Sequence, residues 1–241
     1  MDFRVRHYAV TESTNADARA GAPGDVYVAD EQTAGRGRLD HRWHSAPGEN
    51  LTMSVVLDVS GVPPEQVATF PLVVGLAVHD AVAQALAGAD GLPPAMIKWP
   101  NDVLVGGRKI SGILCERHDD AVIAGVGLNV NQREFPPDVA GRATSLALLR
   151  PDAAPFSVAG VRDAVLDALA ALYATWRGGG FAALHSRYAA LDALRGRRIS
   201  VRQTDDDAEP TTGTCEGVCA DGTLRVGDAC ISAGEAHVLP I

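Results

Sequence analysis

Residues 35–50 read GRGRLDHRWHSAPGEN, with Arg36 and Arg38 alternating with Gly35 and Gly37 ahead of Trp43. A guanidinium grips phosphate or carboxylate through two parallel hydrogen bonds, and glycine lets the backbone close over a ligand. The pattern suits a loop that holds an anion. Neither standard nucleotide fingerprint fits: Asp40 stands where the third glycine of G-x-G-x-x-G would fall, and no Gly-Lys-Ser/Thr follows. Alone, such a segment is a solvated basic turn. Its meaning depends on four other polar segments: Ser13-Thr14-Asn15, Lys98-Trp99-Pro100-Asn101-Asp102, Lys109-Ile110-Ser111-Gly112 and Gly125-Val126-Gly127-Leu128-Asn129.

The rest of the chain narrows the class of ligand. Thirty acidic against 21 basic residues give a formal net charge of -9 at pH 7. That balance argues against a large nucleic-acid footprint, which draws on a basic surface that releases counterions. Residues 36–44 nevertheless hold three arginines and two histidines against one aspartate, so positive charge is concentrated where a small anion would bind. With 46% hydrophobic and 21% charged residues, the 241-residue chain reads as a water-soluble globular enzyme. No signal peptide or transmembrane run is evident, which predicts a cytoplasmic protein without membrane association. Cys115, Cys215, Cys219 and Cys230 are too irregularly spaced for a disulfide framework or a structural zinc site.

The elements that must carry these segments follow from periodicity. Residues 1–10 alternate as a strand with Phe3, Val5, His7 and Ala9 on one face. A short capped helix over 11–20 ends at Gly21, and strands follow at 25–31 and 51–59. Pro63-Pro64-Glu65 opens one long helix to about residue 87, burying Val67, Phe70, Val74 and Val78. Strands at 95–99, 103–105, 109–117 and 121–129, with Gly106-Gly107 as a hairpin turn, predict a largely antiparallel or mixed sheet. Ser157 caps a second long helix whose stripe from Val158 to Trp176 is core, and a third helix covers 181–190. From about 195 the pattern changes to short strands at 199–202, 212–218, 223–226 and 229–232, read as a small β-barrel. Asp205-Asp206-Asp207 reads as a solvated loop tip.

In order and spacing the five polar segments resemble the core motifs of the biotin protein ligases, over residues 11–132 and more loosely to the Gly234-Glu235 turn. The resemblance implies an α+β fold: a mixed sheet with helices like the class II aminoacyl-tRNA synthetases, residues 1–193, plus a C-terminal SH3-like barrel, residues 194–241. It implies activation of biotin with ATP and Mg2+ to biotinyl-5'-AMP, with pyrophosphate released. The biotinyl group then passes to a lysine of a biotin carboxyl carrier protein. By the same resemblance Lys109 and Arg38 are catalytic, contacting the carboxylate and the α-phosphate. Ser13, Thr14, Asn15, Gln32, Arg36, Gly37, Trp99, Gly112, Gly125 and Gly127 join them around biotin. His41, Arg42, Trp43, Asn101 and Asn129, with Arg38, face the nucleotide, and Asp102 is the candidate magnesium contact. The chemistry suits these types, because a carboxylate and a triphosphate meet only if fixed cations offset their repulsion.

Glycine and like charge predict that the arginine loop is mobile until an anion orders it, and that it then covers the adenylate. Relatives with an N-terminal winged helix repress transcription; the first motif here begins at Ser13, so no repressor role is expected. Some relatives dimerise through sheet edges, and the sequence does not fix whether this chain does. A lipoate ligase of the same fold, or a non-catalytic biotin sensor, are the alternative readings. The sequence departs from the family at His41, where a further arginine is usual. An imidazole is only partly charged near neutral pH. His41→Arg should therefore tighten nucleotide binding above neutrality; equal affinities of the two proteins at about pH 8 by calorimetry would refute this.

Overall fold

The structure is a computed structural model and describes residues 1–39, 41–203 and 209–239. Asp40 and the acidic run at 205–207 lie outside the described residues.

The first sheet has seven strands in the order β1-β2-β3-β7-β6-β5-β4. They are β1 Arg4–Thr11, β2 Asp25–Gln32, β3 Leu51–Asp58, β4 Ala95–Lys98, β5 Asp102–Val105, β6 Arg108–His118 and β7 Ala121–Leu128. Only β1 and β2 pair in parallel, and the sheet is mixed as the hairpins predicted. β1 is an edge strand with most side chains exposed: the alternating Val5, His7 and Ala9 do not form a buried face, and Tyr8 on the other face is half-buried against Tyr27. Gly106 and Gly107, at φ 57° and 76°, make the β5–β6 turn, a backbone that side-chain-bearing residues rarely adopt.

One face of this sheet is covered by helices. The single helix expected over 63–87 is two, α2 Pro64–Val67 and α3 Phe70–Ala85. Pro71 has no N–H for the carbonyl of Val67 and is tolerated only in a first turn, so the helix restarts there. Thr69 fills the break: its Oγ1 donates to Gln66 O at 2.7 Å and accepts from Trp176 Nε1 at 3.0 Å. Pro64–Ala85 is long and apolar enough by composition to cross a membrane, with mean hydropathy 1.4, yet Phe70, Val74 and Val78 are fully buried among the core residues. It is a core helix. After a four-residue helix missed in the sequence, α4 Leu146–Leu149, comes α5 Val158–Gly179, capped as expected by Ser157 Oγ accepting from Gly160 N at 3.0 Å. The helix predicted for 181–190 is a 3-10 turn, Phe181–Leu184, running into α6 His185–Ala189.

A second, antiparallel sheet follows: β8 Arg198–Arg202, β9 Thr211–Val218, β10 Leu224–Val226, β11 Ala229–Ile231 and β12 Glu235–Val238, ordered β11-β10-β9-β8-β12. Its apolar residues Ile199, Val201, Cys215 and Leu224 belong to the same hydrophobic cluster as the first sheet and its helices. Burial pushes the Cys215 thiol up to about 11, so it packs as a small apolar group.

Leu169 of α5, fully buried in that cluster, reports on the packing. Leu169→Ala should cost about 2–5 kcal/mol, read from the denaturant midpoint with the slope unchanged.

Candidate functional site

A cavity of about 120 Å³ lies between the arginine loop, the start of α1 (Thr14–Ala18), strands β5 to β7 and the start of β12. Ser13, Thr14 and Asn15 form one end and are all buried. Ser13 occupies the N-cap position, but its hydroxyl makes no capping bond; Gln32 Oε1 instead accepts from Thr14 N at 2.8 Å. The cap and the pocket are thus separate jobs, and the Ser13 hydroxyl is left for the cavity.

The floor is a flat patch of glycine. Gly112 on β6 is opposite Gly127 on β7, and Gly125 lies on the same face two residues away. A Cβ on Gly125 would overlap Asn15 Oδ1, and one on Gly127 would overlap the indole of Trp43. No strand bulge occurs at these glycines; what they provide is close approach. Trp43 rests on this floor with its Nε1 buried and, among the described residues, without a hydrogen-bond partner.

Two cations stand over the floor. Lys109 is brought there by a bulge: Val103 pairs with Ser111 but Leu104 with Lys109, so Ile110 is the extra residue. In a regular strand Lys109 and Gly112 would face opposite ways; here Lys109 Cε comes within 2.9 Å of where a Gly112 Cβ would stand. Lys109 Nζ lies 2.6 Å from Asp102 Oδ1 and 5.7 Å from the Trp43 ring centre. Arg38 donates through Nη1 to Gly234 O at 3.1 Å and Asn101 Oδ1 at 3.4 Å, crossing to the second sheet. Burial pushes its pKa down while Asp102 and Glu235 oppose the shift, and a guanidinium stays charged through such changes.

The arginine loop itself is a small hairpin. Gly37 N donates to His41 O at 2.6 Å and Trp43 N to Gly35 O at 3.0 Å, and Arg36 bridges to Arg42. These bonds tie the two arms of the loop together. Arg36 lines the cavity as well, and its Nη2 reaches Glu116 at 3.3 Å. Gly37, His41 and Arg42 line the cavity mouth. Trp99 borders the cavity but is anchored as core, 2% exposed, its Nε1 donating to Gly222 O at 3.2 Å.

Asn129 is not brought to the cavity. It follows β7, donates to Thr144 O at 3.0 Å and secures the chain after β7. Conversely, Ala236 on β12 and Met53 on β3 line the cavity and carry no short motif that marks them, while Glu235 lines it from the turn to which the resemblance loosely extends. Among the described residues no group of three or more His, Cys, Asp or Glu could hold a metal. Asp102 Oδ1 is buried with no partner beyond the Lys109 ammonium, which fits a single carboxylate contact to a magnesium carried by phosphates.

A slot with hydrogen-bonding groups at one end, a glycine floor and two cations lining it has the shape and charge to take an acid with a polar head beside a phosphate. The model of the Biotin/lipoate A/B protein ligase family matches residues 9–132, and the chain belongs to that family. It is 34% identical to the biotin-[acetyl-CoA-carboxylase] ligase of Paracoccus denitrificans over 235 residues, 90% of this chain and 91% of the relative. It is 44% identical to the ligase of the same name from Mycobacterium tuberculosis over 146 residues, 57% of this chain and 53% of that one. The match thus spans about half the length of several curated relatives. The structure superposes on the biotin protein ligase of Aquifex aeolicus solved with biotin and ATP, at TM-score 0.84 and 27% identity over 98% of each chain.

The floor makes a direct prediction. Gly127→Ala should displace the Trp43 ring at a cost of about 1–3 kcal/mol and red-shift the tryptophan emission. The shift should vanish in a Trp43→Phe background; its persistence there would exclude the contact.

Proposed function

We infer that this chain activates biotin with ATP and transfers it to a carrier protein. The observation that supports this most is the opposition, across one glycine-floored slot, of a polar cluster suited to a ureido ring and a cation pair suited to a carboxylate and a phosphate. Ser13, Thr14, Asn15 and Gln32 take the head group, and the apolar chain lies over Gly112, Gly125 and Gly127. A biotin carboxylate oxygen attacks the α-phosphorus; the bond to the β-phosphate oxygen breaks, and pyrophosphate leaves with that electron pair. Lys109 and Arg38 offset the repulsion of the two anions and stabilise the charge building on the α-phosphate. For this, Lys109 exchanges its Asp102 partner for the incoming oxygens. Asp102 is the carboxylate that would hold a nucleotide-borne magnesium, whose charge shields the triphosphate.

Trp43, His41, Arg42 and Asn101 surround the nucleotide side, while Asn129 supports the wall from behind. The arginine hairpin covers the mixed anhydride, which water would otherwise hydrolyse. The acceptor is a lysine of a biotin carboxyl carrier protein; its amine attacks the acyl carbon and AMP leaves. We read residues 1–193 as a class II synthetase-like catalytic layer and 194–241 as an SH3-like barrel that closes it, in a cytoplasmic enzyme.

The family name also covers lipoate, and the absence of any requirement for both cations in a sensor gives the second contrast. Adenylate formation from α-labelled ATP should proceed with biotin and not with lipoate, and fall about 10²–10³-fold in Lys109→Ala. Product with lipoate alone would move the chain to the sister activity; biotin binding without product would make it a sensor.

A further inference from the structure

Glu116 lies on β6, outside the cavity wall, and its side chain is 25% exposed. Its carboxylate gathers three donors: Asn15 Nδ2 at 2.6 Å, Arg19 Nη2 at 3.1 Å and Arg36 Nη2 at 3.3 Å. Two of these belong to the segments that form the site. Burial pushes the Glu116 carboxyl up, but the Asn15 hydrogen bond and the charges of Arg36 and Arg19 outweigh it, leaving it below the usual carboxylate range. It is an anion that only accepts.

That fixes which way Asn15 faces. A carboxylate cannot donate, so the Asn15 nitrogen must turn to Glu116, with Leu114 O a longer second acceptor at 3.3 Å. Asn15 Oδ1 is thereby turned inward over Gly125, 2.6 Å from Ser54 Oγ. Ser54 has one proton, and that oxygen can only accept, so the proton goes to Asn15. The 2.7 Å contact between the Ser54 and Thr14 hydroxyls then runs with Thr14 as donor, its one proton going to Ser54 in preference to the longer 3.1 Å contact with Gln32 Oε1. Gln32 Oε1 remains satisfied by Thr14 N–H, which leaves the Gln32 Nε2 hydrogens as donors. Each donor in the chain Thr14, Ser54, Asn15 points toward Glu116. At the pocket end, Thr14 Oγ1 keeps lone pairs for an N–H and Gln32 keeps N–H groups for a carbonyl, the complement of a cyclic urea.

Resting on the biotin reading, we propose that Glu116 is a positioning residue: through Asn15 and Ser54 it sets the donor and acceptor polarity of the head-group pocket, and through Arg36 it anchors the loop that closes over it. A glutamine at this position keeps the size but offers an N–H as well as an oxygen, so Asn15 loses its fixed orientation. A purely structural ion pair on the surface would have no such directional consequence.

The test is steady-state biotin adenylation, with KM for biotin and for ATP measured separately, in wild type, Glu116→Gln, Asn15→Ala and the double variant, alongside thermal midpoints. Glu116→Gln should raise the KM for biotin about tenfold, the equivalent of one charge-assisted hydrogen bond, with the KM for ATP and the midpoint unchanged. In the Asn15→Ala background the same change should have no further effect on biotin. An unchanged KM for biotin, an equal rise in both KM values, or full additivity with Asn15→Ala would each overturn the proposal. Should Glu116→Gln fail to fold, Ser54→Ala cuts the same chain at its buried link and carries the same expectation. Wild type that makes no adenylate with biotin would instead overturn the functional reading on which the proposal rests.

Discussion

Two cations, Arg38 and Lys109, have to stand together in a partly buried cavity, and much of the site can be understood as what makes that tolerable. Charge taken out of water must be paired or hydrogen-bonded. Lys109 finds Asp102; Arg38, whose pKa burial pushes down, finds Asn101 Oδ1 and the Gly234 carbonyl, with Asp102 and Glu235 nearby. These partners come from β5, from the turn before β5 and from the second sheet. The ligand site therefore requires both sheets to be docked, and the hydrophobic cluster that runs continuously through Ile199, Cys215 and Leu224 is what docks them.

Strand alternation explains the rest of the geometry. A floor on which a ring can lie flat needs residues of one face without side chains, and Gly125 and Gly127, two apart on β7 and opposed by Gly112 on β6, satisfy that. The same alternation would turn Lys109 away from Gly112. The extra residue Ile110 corrects the parity, and Ile110 itself stays fully buried, so the bulge re-aims one charge without opening the core.

How much of this the sequence discloses depends on the range of the interaction responsible. Elements built from a repeated apolar pattern, such as α5 and strands β2, β3 and β7, are legible because many residues vote for one period. Single residues that interrupt a period are harder: Pro71 divides the expected helix, and its effect depends on which turn it occupies. α4 and β12, four residues each, are absent from the sequence reading: α4 is one turn of helix held by the Ser145 cap, and β12 is held by its pairing with β8, distant in the chain. Ile110 as a bulge has no composition cue at all. At the site, local motifs bring Ser13 to Asn15, Gln32, Arg38, Asn101, Asp102 and Lys109 to one cavity, because each motif is held by its own strand or helix end. Asn129 stands in an equally suggestive motif yet faces Thr144, since its direction is set by the segment after β7 and not by its neighbours. Glu116 and Ser54 read as ordinary strand residues. Their importance lies in contacts 101 and 39 residues from Asn15, which no short window contains.

That separation also bears on why a polar chain beneath the pocket is useful. Hydroxyls and amides in a slot are ambiguous, since each can donate or accept, and a ligand that meets a mixture of orientations binds to only part of the population. A carboxylate at one end removes the ambiguity for every group linked to it. Placing that carboxylate at the rim of the slot, where two arginines hold it ionised, spares the cavity an additional buried charge. The floor and walls can then remain apolar where the acid's chain must lie, while the direction of each hydrogen bond at the far end is decided from outside the cavity.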